Sequence, residues 1–147
     1  MKIFLQLPLF LFVLIAYNVV AFTAPQLIES AALADGSMSE PKRLLEMTLI
    51  SGANWTLHFN DLILLIGVVI LYFELFKSTR TQVSSIVEHV LSMFVFIVFL
   101  VEFIIVRGCG NSTFLTLTLL SMLDVVAGFT ITISTARRDL AVPHGHH

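Results

Sequence analysis

The chain has 147 residues, 57% of them hydrophobic and 12% charged, with a mean hydropathy of +0.95. Soluble domains carry about 25% charged residues, and a soluble core this small cannot absorb several runs of about 20 apolar residues, so a water-soluble fold is excluded. The formal net charge of −2 excludes a basic footprint for nucleic acid, and the single Cys109 excludes an intrachain disulfide. What remains is one small integral membrane domain, all-α, with four expected transmembrane helices. Thirteen Phe against one Trp and two Tyr suit lipid-facing and interhelical packing rather than an interfacial aromatic belt.

Residues 3–22 form the first apolar run, preceded by Lys2. Its charged start and the small-residue ending at Val19, Val20 and Ala21 are shared with secretory signal peptides. The run is longer than a usual signal core, which favours a retained helix, and Pro8 falls close enough to the first turn to be tolerated. Residues 23–58 make the long outer loop. Within it, Ser39 suits an N-cap, Glu40 and Pro41 a first turn, and Gly52 a stop, so a short helix is expected there. Leu44, Leu45, Met47, Leu49 and Ile50 would form its apolar face opposite Lys42, Arg43 and Glu46, which predicts a helix lying in the membrane interface. Trp55 fits an interfacial anchor before the next span.

The second span is expected over 59–76 and the third over 84–106, joined by the polar link of residues 77–82. A tight turn at Arg107, Gly108, Cys109, Gly110 and Asn111 leads to the fourth, over 112–135. Seven Ser and Thr residues between Ser112 and Thr132 dilute that span; in lipid they usually bond back to their own helix or across to a neighbour. Residues 136–147 form a tail. Placing both termini in the cytoplasm puts Lys2, Lys77, Arg80, Arg137 and Arg138 inside and Lys42, Arg43 and Arg107 outside, five against three, as the positive-inside rule requires.

Six residues stand out inside the spans: Glu74, Glu88, Glu102, Ser121, Asp124 and Gly128. Glu74 and Glu88 belong to the inner edge, and Asp61 and Glu102 to the outer. Asp124 falls near mid-membrane, where an ionised carboxylate costs several kcal/mol and has to be protonated, paired or water-facing. Glu88, Val95 and Glu102 are seven apart and share a face. Ser121, Asp124, Ala127 and Gly128 share another, with Thr116 and Thr132 further along it, and small residues beside an acid mark a close helix interface. Gly67, seven before Glu74, offers a similar approach, so the polar faces of spans two, three and four are expected to meet. Such acids either fix helix register through hydrogen bonds or line a proton path through Glu74, Glu102 and Asp124. The edge positions of Glu74 and Glu102 also permit snorkelling to water.

No catalytic set, phosphate-binding loop or metal cluster is visible, and no cofactor is expected. His58 and His89 fall at opposite membrane faces, which rules out a bis-histidine haem site, and the tail histidines read as solvated. Asn54 and Asn111 each begin an N-glycosylation pattern that hugs the membrane and reads as chance.

The segments Leu71-Tyr72-Phe73-Glu74 and Glu102-Phe103-Ile104-Ile105-Val106-Arg107, with the short turn and the basic exit from span four, carry a resemblance. From residue 59 onward the chain resembles the phosphate-starvation-inducible protein E (PsiE) family of small bacterial inner-membrane proteins, with the charges at Glu102 and Arg107 reversed relative to the family pattern. The resemblance implies four helices, short loops after the second and an inner-membrane location. Its small size and its acidic, small-residue fourth span point to a non-enzymatic accessory or assembly subunit, whose partners are the lipid bilayer and other membrane proteins or itself. The alternative is a small proton-coupled transporter or channel.

Overall fold

The computed structural model describes residues 7–28, 41–79 and 85–141. Lys2, the Ser39 and Glu40 start of the expected interfacial helix, Arg80 and the tail histidines lie outside them. Four helices run α1 (Leu9–Thr23), α2 (Phe59–Ser78), α3 (Ser85–Ile105) and α4 (Ser112–Ala141), with a two-stranded antiparallel hairpin, β1 (Arg43–Thr48) and β2 (Asn54–His58), before α2. Contacts at both ends give an up-down-up-down bundle. Leu7 and Leu9 meet Lys77 and Glu74 at one end, and Tyr17 and Asn18 meet Asn111 and Glu102 at the other.

Residues 59–78 of α2, 87–105 of α3 and 112–134 of α4 are long and apolar enough to cross a membrane. Continuous apolar side chains allow this only because the helix satisfies its own backbone in lipid. α1 is apolar but has 15 residues, a rise of about 22 Å against a hydrocarbon core of about 30 Å. The expected first span thus enters the described helix only after Pro8, which stands at its N-cap.

Burial follows helical period. α1 turns Phe10, Val13, Leu14, Tyr17 and Ala21 inward, one stripe at three- and four-residue intervals. α4 does the same with Phe114, Leu117, Ser121, Asp124 and Val125. α2 fully buries only Gly67 and Glu74, half-buries Phe59, Ile63, Leu64, Ile70 and Leu71 against the core, and turns its other face outward. At Gly67 a Cβ would lie 2.8 Å from Leu117 Cδ2, so the missing side chain lets α2 and α4 close on each other. The middle of the bundle is a layer of rings: Phe10 stands edge-on to Phe99 at 6.4 Å, Phe99 meets Phe114 at 5.3 Å, and Phe114 meets Tyr17 at 4.8 Å.

The outer loop corrects the all-α expectation. Residues 43–58 are a hairpin, not the second half of an interfacial helix. Leu45 pairs with Leu57, Glu46 with Thr56, Met47 with Trp55 and Thr48 with Asn54, and a bulge falls between Arg43 and Leu45. Gly52 is the reason. Its φ of 82° suits the closing residue of a three-residue hairpin loop, with Gly52 N–H donating to the Leu49 carbonyl and Leu49 N–H to that of Ala53. The second strand brings Trp55 and Thr56, residues that suit a pleated surface.

Candidate functional site, a buried polar cluster between the helices

The polar side chains inside the bundle gather at the end where α1 enters, α2 leaves and α3 begins. Glu74 is 5% exposed. Its carboxylate accepts a hydrogen bond from the backbone N–H of Leu9, the first residue of α1. That donor has no partner within its own helix, and the positive end of a helix dipole favours an anion, so Glu74 caps α1 from across the bundle. Lys77, one turn on, lies 3.8 Å from Glu74 and 3.6 Å from Glu88 on α3, and its Nζ donates to the Leu7 carbonyl at 3.4 Å. Glu74, Lys77 and Glu88 form a chain of alternating charge that joins α1, α2 and α3.

Asp124 is 4% exposed and stands about 18 Å along α4 from Ser112. The Ser92 hydroxyl on α3 is its side-chain hydrogen-bond partner, and Glu74 and Lys77 lie within electrostatic range. One turn nearer the start of α3, buried His89 has Nε2 2.7 Å from the Thr132 hydroxyl, and its ring faces Phe129 at 5.3 Å. Gly128 is the seat of that ring, since a Cβ there would come within 2.6 Å of His89 Cε1 and Nδ1.

Of the residues singled out in the sequence, Glu74, Glu88, Asp124 and Gly128 meet in this cluster. Ser121 is buried beside it but donates to its own helix, at the Thr118 carbonyl. Thr116, Thr118 and Thr130 likewise bond back along α4, and Thr116 faces outward. Glu74 does not snorkel to water. Glu102 is not part of the cluster: fourteen residues, or about 21 Å of helix, separate it from Glu88, and the ring layer fills the gap. It accepts instead from Asn18 Nδ2 at 2.7 Å, on α1. His58 and His89 stand at opposite ends; His58 and Asp61 form a capping box at the start of α2.

His89, Ser92, Lys77 and the entry of α1 complete the cluster and were not singled out as its members in the sequence. The signal for Ser92 was available, since it lies one turn beyond Glu88 on the same face of α3. A second small network escaped as well. Asn111 caps α4 by accepting from Phe114 N–H at 3.0 Å, and its Nδ2 donates to the Tyr17 hydroxyl at 2.8 Å. Cys109, fully buried in the turn, points at Asn18 Oδ1. Asn111 therefore works as a cap between helices.

Among the described residues no group of three or more His, Cys, Asp or Glu side chains converges to hold a metal ion. Chemically, the cluster can tie three membrane helices and the end of a fourth. The ring layer of Phe10, Phe99 and Phe114, with Leu117, closes it off from Glu102 and the hairpin end. The chain matches no protein-family model, no curated protein and no solved structure.

Proposed function

We propose that this chain is a non-enzymatic multi-pass protein of a bacterial inner membrane that acts by association, as an accessory or assembly subunit of a membrane complex or as a bundle of its own copies. One observation carries the reading. The ionisable groups at membrane depth are spent on ties between helices: Glu74 on the entry of α1, Ser92 on Asp124, Lys77 on two acids and Asn18 on Glu102. A bundle tied in this way has few polar groups left for chemistry and a large apolar exterior for neighbours, spread over α2, α3 and α4. Asp124 is sheltered by its own helices and adds no argument for an oligomer. The PsiE-like pattern adds the four-helix, inner-membrane expectation with both termini cytoplasmic.

The test is photobleaching of fluorescently labelled protein diluted in lipid vesicles, together with a proton-flux assay on the same vesicles. The reading expects more than one copy, or a defined partner in native membranes, and flux no higher than in protein-free vesicles. A proton-coupled transporter is the second reading, favoured by the proximity of Glu74, Asp124 and Lys77. It predicts flux that Asp124→Asn abolishes.

A further inference from the structure

The hairpin is the part of the chain that the bundle does not use. Its ladder sorts side chains by face, because partners across the strands share a side and neighbours along a strand alternate. Leu45 with Leu57 and Met47 with Trp55 lie on one face, and Leu49 continues it. Glu46 with Thr56 and Thr48 with Asn54 lie on the other, where Thr48 Oγ1 donates to Asn54 Oδ1 at 3.0 Å. The apolar face is uncovered: Leu45, Met47, Leu49 and Trp55 are between 42% and 49% exposed, and Ile50 at the loop is fully exposed. An isolated two-stranded hairpin is marginal in water, and this one would leave its apolar face there.

We propose that the hairpin is a membrane-interface anchor whose apolar face, Leu45, Met47, Leu49, Trp55 and Leu57, beds into the headgroup–acyl boundary beside α2. The occupant of that face is lipid rather than protein for three reasons. First, the hairpin is rooted at the membrane. β2 runs directly into α2, and Phe59 N–H donates to the Lys42 carbonyl at 2.9 Å, which ties both strands to the first residue of a membrane-crossing helix. Five residues of strand reach only about 17 Å from that root. Second, the division into an apolar face with a Trp and a polar face of Glu, Thr and Asn is that of an element lying flat in the interface. Third, Lys42 and Arg43 stand at the root of the hairpin beside the start of α2, where long cationic side chains can keep their heads among lipid phosphates. The proposal needs α2 in a membrane and does not depend on the association reading.

Trp55 is the sole tryptophan, so its fluorescence reports on this face alone. The full chain is reconstituted in phosphatidylcholine–phosphatidylglycerol vesicles, with iodide on both sides or with phosphatidylcholine brominated near the headgroup end or the methyl end of its acyl chains. The expected result is a blue-shifted emission, shielded from iodide and quenched most by the bromines nearest the headgroup. Leu45→Asp with Met47→Asp should lift the face off the lipid, shift the emission to the red and remove most of the lipid quenching while leaving helix content unchanged. Wild-type emission that iodide quenches freely overturns the proposal, because the hairpin then stands in water. Emission shielded from both iodide and bromine also overturns it and assigns the face to a protein neighbour.

Discussion

The two ends of the bundle solve one problem with different chemistry. Where α1 enters, helices are joined by charges: Glu74 on a helix N-terminus, Lys77 between Glu74 and Glu88, and Ser92 on Asp124. At the hairpin end they are joined mainly by amides, with Asn111 on Tyr17 and Asn18 on Glu102. The charged end is the more costly to cut, because removing one member leaves another buried charge short of a partner. The amide end degrades more gently, since the Asn111–Tyr17 bond is neutral and Glu102, the acceptor of Asn18, is only half-buried. Between them, rings keep the two networks apart.

Glu74→Ala should break that contrast at its strongest point. It leaves Leu9 N–H without its acceptor and Lys77 with Glu88 and the Leu7 carbonyl alone, and a loss of about 3 kcal/mol is expected for opening a buried charged tie. Denaturant unfolding of the detergent-solubilised protein measures it; a loss no larger than that of an exposed control such as Phe73→Ala would mean that Glu74 is not the tie.

Gly128→Ala comes next. The added methyl meets the His89 ring, and overpacking of this kind costs about 1–3 kcal/mol. The double variant Gly128→Ala with His89→Ala should recover most of the added cost, because the obstacle is gone. Additive losses in that cycle would show that the two residues are not in contact.

Asn18→Ala is the mildest of the three and samples the amide end. It removes the hydrogen bond to Glu102 and should cost about 1 kcal/mol, in line with interhelical polar contacts in membranes. A loss equal to that of Glu74→Ala would erase the difference between the ends.

Much of this plan was legible in the sequence, for identifiable reasons. Spans two to four follow from apolar length, and the placing of Gly128 and Asp124 on a buried face of α4 follows from helical period. The partner of Glu74 was not legible, because it is a backbone N–H 65 positions away whose need arises only once α1 starts at Leu9. Tyr17 and Asn18 were hidden inside an apolar run. The hairpin was misread because Leu45, Met47 and Leu49 fit an incomplete helical face as well as a strand; Gly52 at φ 82° and the alternation of Asn54, Trp55, Thr56 and Leu57 decide for the strand.

The central claim is that the intramembrane acids hold the bundle together and do not conduct. Asp124→Asn in sealed vesicles tests it most directly, with proton flux and thermal stability measured on the same preparation. The account predicts no flux above protein-free vesicles for either protein and at most a small change in stability, because asparagine can still accept from Ser92. Flux through the wild type that the substitution abolishes, with the fold intact, would contradict it.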